Sequence, residues 1–216
     1  MNIAIIGATG FVGQHLVTEA LQRGHEVKAI ARNVAQLTAG NGLTPVQADI
    51  TDVPALAAAL KGSDIVLSAF NAGWQNPELY NDFLAGSKAI QQAVKEAGVQ
   101  RLIVVGGAGS LYIAPGQQLV DSPDFPEAYK AGATAARDYL DLLKQEPVID
   151  WTFFSPAIEM HPGITTGRTG QYRTALDSPV FDAAQHSRLS VEDLAVALLD
   201  ETETPKHSRQ RFTAAY

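Results

Sequence analysis

Along the chain, short runs in which nearly every position is apolar alternate with longer stretches whose apolar residues recur at helical spacing. Residues 3–6 read Ile-Ala-Ile-Ile, and residues 26–31, Glu-Val-Lys-Ala-Ile-Ala, form a second such run. Between them Phe11, Val12, Leu16, Ala20 and Leu21 fall on one helical stripe that Gly24 closes. The same reading gives strands over 43–48, 64–69, 101–105 and 150–154, and helices over 53–60, 81–97 and 128–143. Near-continuous apolar strands alternating with helices predict an α/β fold, a doubly wound parallel sheet covered on both faces. Beyond Ser155-Pro156 the pattern becomes turn-rich, with Pro162-Gly163, Gly167 and Gly170, before a last helix near 191–200 and a strand near 211–213. No repeat, low-complexity tract or linker divides the chain, so residues 1–216 are expected to form one domain, with 155–216 as a small substrate-side region.

The first strand runs straight into Gly7-Ala8-Thr9-Gly10-Phe11-Val12-Gly13, which opens the first helix. A glycine at position 7 permits a sharp turn at the strand end. One at position 10 lets backbone N–H groups approach a phosphate, and one at position 13 lets helix and sheet pack closely. The helix N-terminus carries partial positive charge toward the same place. A pyrophosphate held by the backbone from Gly7 to Gly13, Thr9, Phe11 and Val12 included, is the chemistry this spacing suits. A strand-turn-helix that needs its glycines only for packing is the plainer alternative.

Composition narrows the function classes. At 216 residues the chain can bury a sizeable core as one unit. It has no cysteine, which excludes disulfides, thiolate metal sites and a cysteine nucleophile. The start of the chain enters a strand at once, and no apolar run approaches the roughly 18 residues of a membrane span. A cytoplasmic protein with no membrane partner is therefore expected, as a monomer or homodimer. A net charge of −7 argues against a nucleic-acid partner. Lys206, His207, Arg209 and Arg211 form a small basic cluster that reads as solvated strand-edge residues.

Position in the sheet suggests further cofactor contacts, since open α/β sheets bind ligands along the carboxyl ends of their strands. An NAD-selective site places an acidic residue about twenty positions beyond the glycine turn, but here the second strand ends in Ala31-Arg32-Asn33. A guanidinium at that point pairs with a 2′-phosphate and stacks on adenine, so Arg32 predicts NADP(H) over NAD(H). Asp49-Ile50 ends the third strand, and Ala69-Phe70 the fourth, where small residues leave room for the adenosine and pyrophosphate. Asp49 could equally cap the turn into the next helix.

Five segments together carry a resemblance: Gly7-Ala-Thr-Gly-Phe-Val-Gly13, Val104-Val-Gly-Gly-Ala-Gly-Ser110-Leu, Trp151-Thr-Phe-Phe-Ser-Pro156-Ala, Arg168-Thr-Gly-Gln-Tyr-Arg173 and Leu189-Ser-Val-Glu-Asp193-Leu-Ala. The chain resembles an atypical, or extended-type, short-chain dehydrogenase/reductase of the NmrA-like and NADH-flavin reductase group. That resemblance implies a Rossmann-like NAD(P)-binding fold, a nicotinamide cofactor with Gly106, Ser155 and Pro156 on its binding side, and redox activity toward flavin- or quinone-like acceptors. It also implies Ser110 and Tyr129 as catalytic candidates.

At the catalytic positions the chain departs from the superfamily, whose members pair a proton-relaying Tyr with a Lys four residues on. Four residues beyond Tyr129 stands Ala133, and Lys130 lies about 100° round the helix from its neighbour. An ordinary phenol, with a pKa of roughly 10, relays protons poorly at neutral pH. Hydride transfer to a flavin or quinone escapes this objection, because it needs the acceptor held against the nicotinamide and can take its proton from water. The segment Ala157-Ile-Glu-Met160-His161-Pro162 could form an apolar shelf, and Phe70, Trp74 and Tyr112 could supply aromatic surface. Met160 and Phe70 read equally as core residues, and His161 as a surface loop residue. A protein that binds NADP(H) without turnover, as a redox sensor, is the alternative from another class. A sugar-nucleotide epimerase or dehydratase fits less well, for want of the Tyr-Lys pair.

Overall fold

The computed structural model describes residues 1–216. Its main sheet has eight strands: β1 (Asn2–Ile6), β2 (Glu26–Ala31), β3 (Leu43–Gln47), β4 (Ile65–Ser68), β5 (Arg101–Val105), β8 (Asp150–Ser155), β9 (Arg173–Ala175) and β10 (Gln210–Ala215). They lie in the order β3-β2-β1-β4-β5-β8-β10-β9, parallel except for β9, which pairs antiparallel with β10. The order reverses between β1 and β4, which are paired with each other, so a crevice opens at their carboxyl ends. Five helices cover the sheet: α1 (Phe11–Gln22), α2 (Val53–Leu60), α3 (Leu79–Ala97), α4 (Glu127–Leu143) and α5 (Val191–Glu203).

Strand side chains alternate between two cores of equal size, 23 buried residues each, which is why the strands read as continuous apolar runs. Ile3, Ile5, Leu67, Ile103 and Phe154 join Leu16 of α1 and Leu194 and Leu198 of α5 on one face. Ala4, Ile6, Val66, Leu102 and Phe153 join Leu56 of α2, Phe83 and Ile90 of α3, and Tyr139 of α4 on the other. Asp52 accepts a hydrogen bond from the Ala55 N–H to start α2, and Ser190 one from the Asp193 N–H to start α5. Gly98, at φ 74°, ends α3.

Two expectations need correction. Phe11 does not belong to the buried stripe of α1: it is exposed and meets His15 edge-on, because the helix starts at the open carboxyl edge. The basic cluster is not uniformly solvated either. Lys206 and Arg209 are exposed, but Arg211 is buried within β10, flanked by β8 and β9, and forms an ion pair with Asp177. His207 is half-buried, bonded to Glu201 at 2.7 Å and stacked on Phe212. Also unforeseen were β9 and a small hairpin of β6 (Tyr112–Ala114) and β7 (Gln117–Gln118).

Between α3 and α4 the Glu146 carboxylate is buried. Burial raises its pKa, but the Lys95 ammonium at 2.5 Å, the Val148 and Ile149 N–H groups and the Gln91 amide outweigh this and hold it at about 2. The folded state therefore binds this proton less tightly than the unfolded chain, where the ordinary value is near 4.5. Its stabilisation is complete above about pH 4.5 and is lost as pH falls toward 2. Glu146→Gln should flatten the acid limb of the stability profile in that window and cost on the order of 2 kcal/mol at neutral pH. Urea unfolding across this pH range checks it, and an unchanged acid limb would count against the pairing.

Candidate functional site

The glycine turn sits where β1 meets β4. Gly7 adopts φ 77°, a left-handed conformation, and a Cβ there would lie 2.7 Å from the Ala69 carbonyl oxygen. The N–H groups of Gly7 and Ala8 donate to the Ile30 carbonyl, and that of Gly10 to the Gly7 carbonyl. Gly13 is the tightest point of the turn, since a Cβ there would fall 2.0 Å from the Gly7 oxygen. The helix thus starts flush against the strand end. The N–H groups of Thr9, Phe11, Val12 and Gly13 find no acceptor within the chain, and no side chain caps α1. These open donors at the head of α1, reached over glycine positions, fit a phosphate-bearing dinucleotide.

Toward β2 and β3, Arg32 is exposed at the end of β2 and makes no hydrogen bond or ion pair within the chain. Asp49 is exposed beside it. The Asp49 carboxylate accepts from the Thr51 N–H at 2.9 Å and the Thr51 hydroxyl at 2.8 Å, contacts that lower its pKa, with the Arg32 charge adding to the shift. The turn-capping role weighed for Asp49 is therefore present, and it leaves the guanidinium free. Ile50 and Phe70 both press on Gly86 of α3, where a Cβ would lie 2.6 Å from Ile50 Cδ1 and 2.5 Å from Phe70 Cε1. Phe70 also stacks on Phe83, so it is a wall residue rooted in the core.

Beyond β4 the expected residues come together less completely. Gly106 is required by packing, since a Cβ there would fall 1.9 Å from Phe153 Cζ. Ser110 is fully buried, with its hydroxyl 3.0 Å from that of Ser155 and 3.2 Å from the Gly107 carbonyl oxygen. Pro156 is buried beside Ser155. Met160 packs on the α1/α5 core and His161 is exposed in its loop. The Tyr112 ring lies 5.5 Å beneath the Arg211 guanidinium, which occupies one of its faces.

Tyr129 stands exposed in the first turns of α4, away from the core. Ala133 is buried, and a Cβ on Gly109 would lie 2.8 Å from Ala133 Cβ. Gly109 thus lets α4 lie closely against the 107–110 turn at position 133, where the side chain is a buried methyl group. The phenol-ammonium relay is absent because position 133 carries no ammonium group.

The Arg168–Arg173 and Leu189–Asp193 segments, which carried the resemblance without a role, form a clamp. Asp193 accepts from the Thr169 and Gly170 N–H groups and from the Tyr216 hydroxyl. Arg168 reaches buried Glu19 of α1 at 2.8 Å and lowers its pKa, working with Arg23 against burial. These residues fasten the turn-rich segment across α1 and α5. Partners so far apart in sequence leave no local signal. A cavity of about 460 Å³ runs along α5 past Tyr172, Asp200 and His207, but no residue of the glycine turn lines it.

Comparison with known proteins agrees with this geometry. A family model described as NAD(P)H-binding matches residues 7–202. An uncharacterized protein of Bacillus subtilis, YwnB, is 37% identical over 215 residues, covering 99% of this chain and 97% of that one. A solved structure of a putative epimerase from Bacteroides thetaiotaomicron superposes with a TM-score of 0.90 at 44% identity, covering 100% of this chain and 96% of the other. A putative NADH-flavin reductase from Streptococcus pneumoniae superposes with a TM-score of 0.85 at 36% identity, covering 100% and 99%. No helix is long and apolar enough to cross a membrane. In motif, fold and similarity the chain belongs to the NAD(P)H-binding family, in the atypical short-chain dehydrogenase/reductase, NmrA-like group of oxidoreductase folds.

Proposed function

We propose that the protein is an NADPH-dependent reductase that delivers hydride to a flat conjugated acceptor of the flavin or quinone type. The observation that carries the reading is the open donor set of Thr9, Phe11, Val12 and Gly13 on a carboxyl edge whose proton-relay position holds the buried Ala133. The donors bind the pyrophosphate, and Arg32, free of internal partners, takes the 2′-phosphate. When bound, the nicotinamide supplies the hydride. The chain's own residues bind and orient, and the proton comes from solvent.

Arg32 gives the first test. Wild type should bind NADPH at least tenfold more tightly than NADH, and Arg32→Ala should remove most of that preference while leaving NADH affinity nearly unchanged. Equal affinities in wild type would remove the 2′-phosphate assignment. The reductase reading itself is tested by incubating the protein with NADPH and FMN, riboflavin or a small quinone. Enzyme-dependent loss of nicotinamide absorbance is expected with at least one acceptor. Tight NADPH binding with no turnover on any of them would instead establish the binding-only sensor, which the missing lysine at position 133 suits equally well. The epimerase reading lacks the Tyr-Lys pair that its proton transfers call for.

A further inference from the structure

Trp74 and Tyr129 are the two most exposed aromatic side chains of the molecule, at 56% and 53%, and they touch each other. Their ring centroids are 5.4 Å apart at an interplanar angle of 87°. Such an edge-to-face pair uses one edge and one face, leaving an aromatic face open. The indole is seated rather than dangling. A Cβ on Gly132 would lie 2.9 Å from Trp74 Cζ3, so the glycine makes the berth on α4, beside Leu79 of α3. The loop that carries it is braced as well: Asn71 accepts from the Gly73 N–H at 2.7 Å, and Asn76 bonds to the Glu78 N–H at 2.9 Å and to Asp82 at 2.8 Å. A rigidly held aromatic pair, exposed without an internal use, has the properties of a preorganised binding surface.

Its place on the sheet says for what. Trp74 follows β4, and Tyr129 begins the helix that follows β5, so both stand at the carboxyl edge. With the pyrophosphate at the glycine turn and the adenosine directed toward Arg32 at β2, the other half of the dinucleotide points to the β4–β5 side. We infer that Trp74, backed by Tyr129, is the platform on which the planar ring system of the acceptor stacks, and that Tyr129 is a positioning residue and not a proton donor. Phe70 is rooted against Phe83 and Tyr112 lies under Arg211, which leaves Trp74 as the free aromatic surface of the three. A platform of this kind selects fused conjugated rings over small aliphatic carbonyl compounds. The inference rests on the reductase reading for its location but not for its test.

Binding is measured on the full chain saturated with NADP⁺, by equilibrium dialysis of riboflavin and by quenching of riboflavin emission, which requires stacking and no turnover. Trp74→Ala should weaken riboflavin binding about tenfold and abolish the quenching. NADPH affinity serves as the control for folding. Tyr129→Ala should weaken riboflavin binding several-fold, and Tyr129→Phe, which keeps the ring, should restore it. In turnover the loss should fall on KM for the acceptor more than on kcat. Stacked binding on Trp74 without turnover would support the platform and refute the reductase reading. Turnover indifferent to Trp74, no riboflavin binding by wild type, or failure of Tyr129→Phe to rescue would each overturn the platform.

Discussion

Gly13→Ala is expected to abolish measurable NADPH binding and to destabilise the fold. A methyl group at that position would fall 2.0 Å from the Gly7 carbonyl oxygen and 2.9 Å from Ala8 Cα, both backbone atoms held by β1 and its pairing with β2 and β4. No flexible side chain can yield, so α1 has to move off the strand end. Overpacking of this kind costs about 3 kcal/mol. The displaced helix also carries the Phe11, Val12 and Gly13 donors away from the pyrophosphate. Losing the equivalent of two charge-assisted hydrogen bonds raises the dissociation constant by at least about 100-fold. Thermal melting together with NADPH titration of the folded fraction checks both effects. A variant with wild-type melting temperature and affinity would show that strand and helix do not meet as described.

At the opposite end of the strands, Glu201→Ala should produce the largest loss of stability without touching cofactor affinity. Glu201 of α5 is buried and reaches the Arg101 guanidinium of β5 at 2.8 Å, also accepting from the Lys206 and His207 N–H groups and bonding the His207 ring. Arg101 in turn donates to Thr152 at 2.6 Å and to the Asp150 carbonyl at 3.2 Å. Removing Glu201 leaves a guanidinium that is only 8% exposed with the more exposed Asp150 carboxylate at 3.3 Å as its remaining counter-charge, which costs about 3 kcal/mol. For a chain of this length each kcal/mol lowers the melting temperature by roughly 2–4 °C. Differential scanning calorimetry with and without saturating NADPH separates the effects. Wild-type NADPH affinity in the folded variant is expected, and a selective loss of affinity would place this network in the binding site instead.

The two regions are also differently legible in the sequence. Elements whose burial follows the local period of a strand or a helix announce themselves, so β2 (Glu26–Ala31), α2 (Val53–Leu60) and β5 (Arg101–Val105) are placed at their observed bounds. The glycine turn was legible because its chemistry lies within seven consecutive residues, Gly7 to Gly13. What stayed hidden depends on partners remote along the chain. Strand β9 has only three residues, none fully buried, and exists through its pairing with β10. Arg211 looked solvated because nothing near it in sequence reveals Asp177. Phe11 looked like core because helical spacing says nothing of where a helix begins relative to the sheet edge. Ala133 could be read as a missing lysine, but its close approach to Gly109 needed the fold.

Anaerobic single turnover of the NADPH-loaded protein with riboflavin tests the central claim most directly, using NADPH with and without deuterium at the transferred position of the nicotinamide. Flavin bleaching that saturates with riboflavin, matches the NADPH consumed and slows on deuteration is the predicted result. Unbleached flavin in the presence of fully bound NADPH would contradict it.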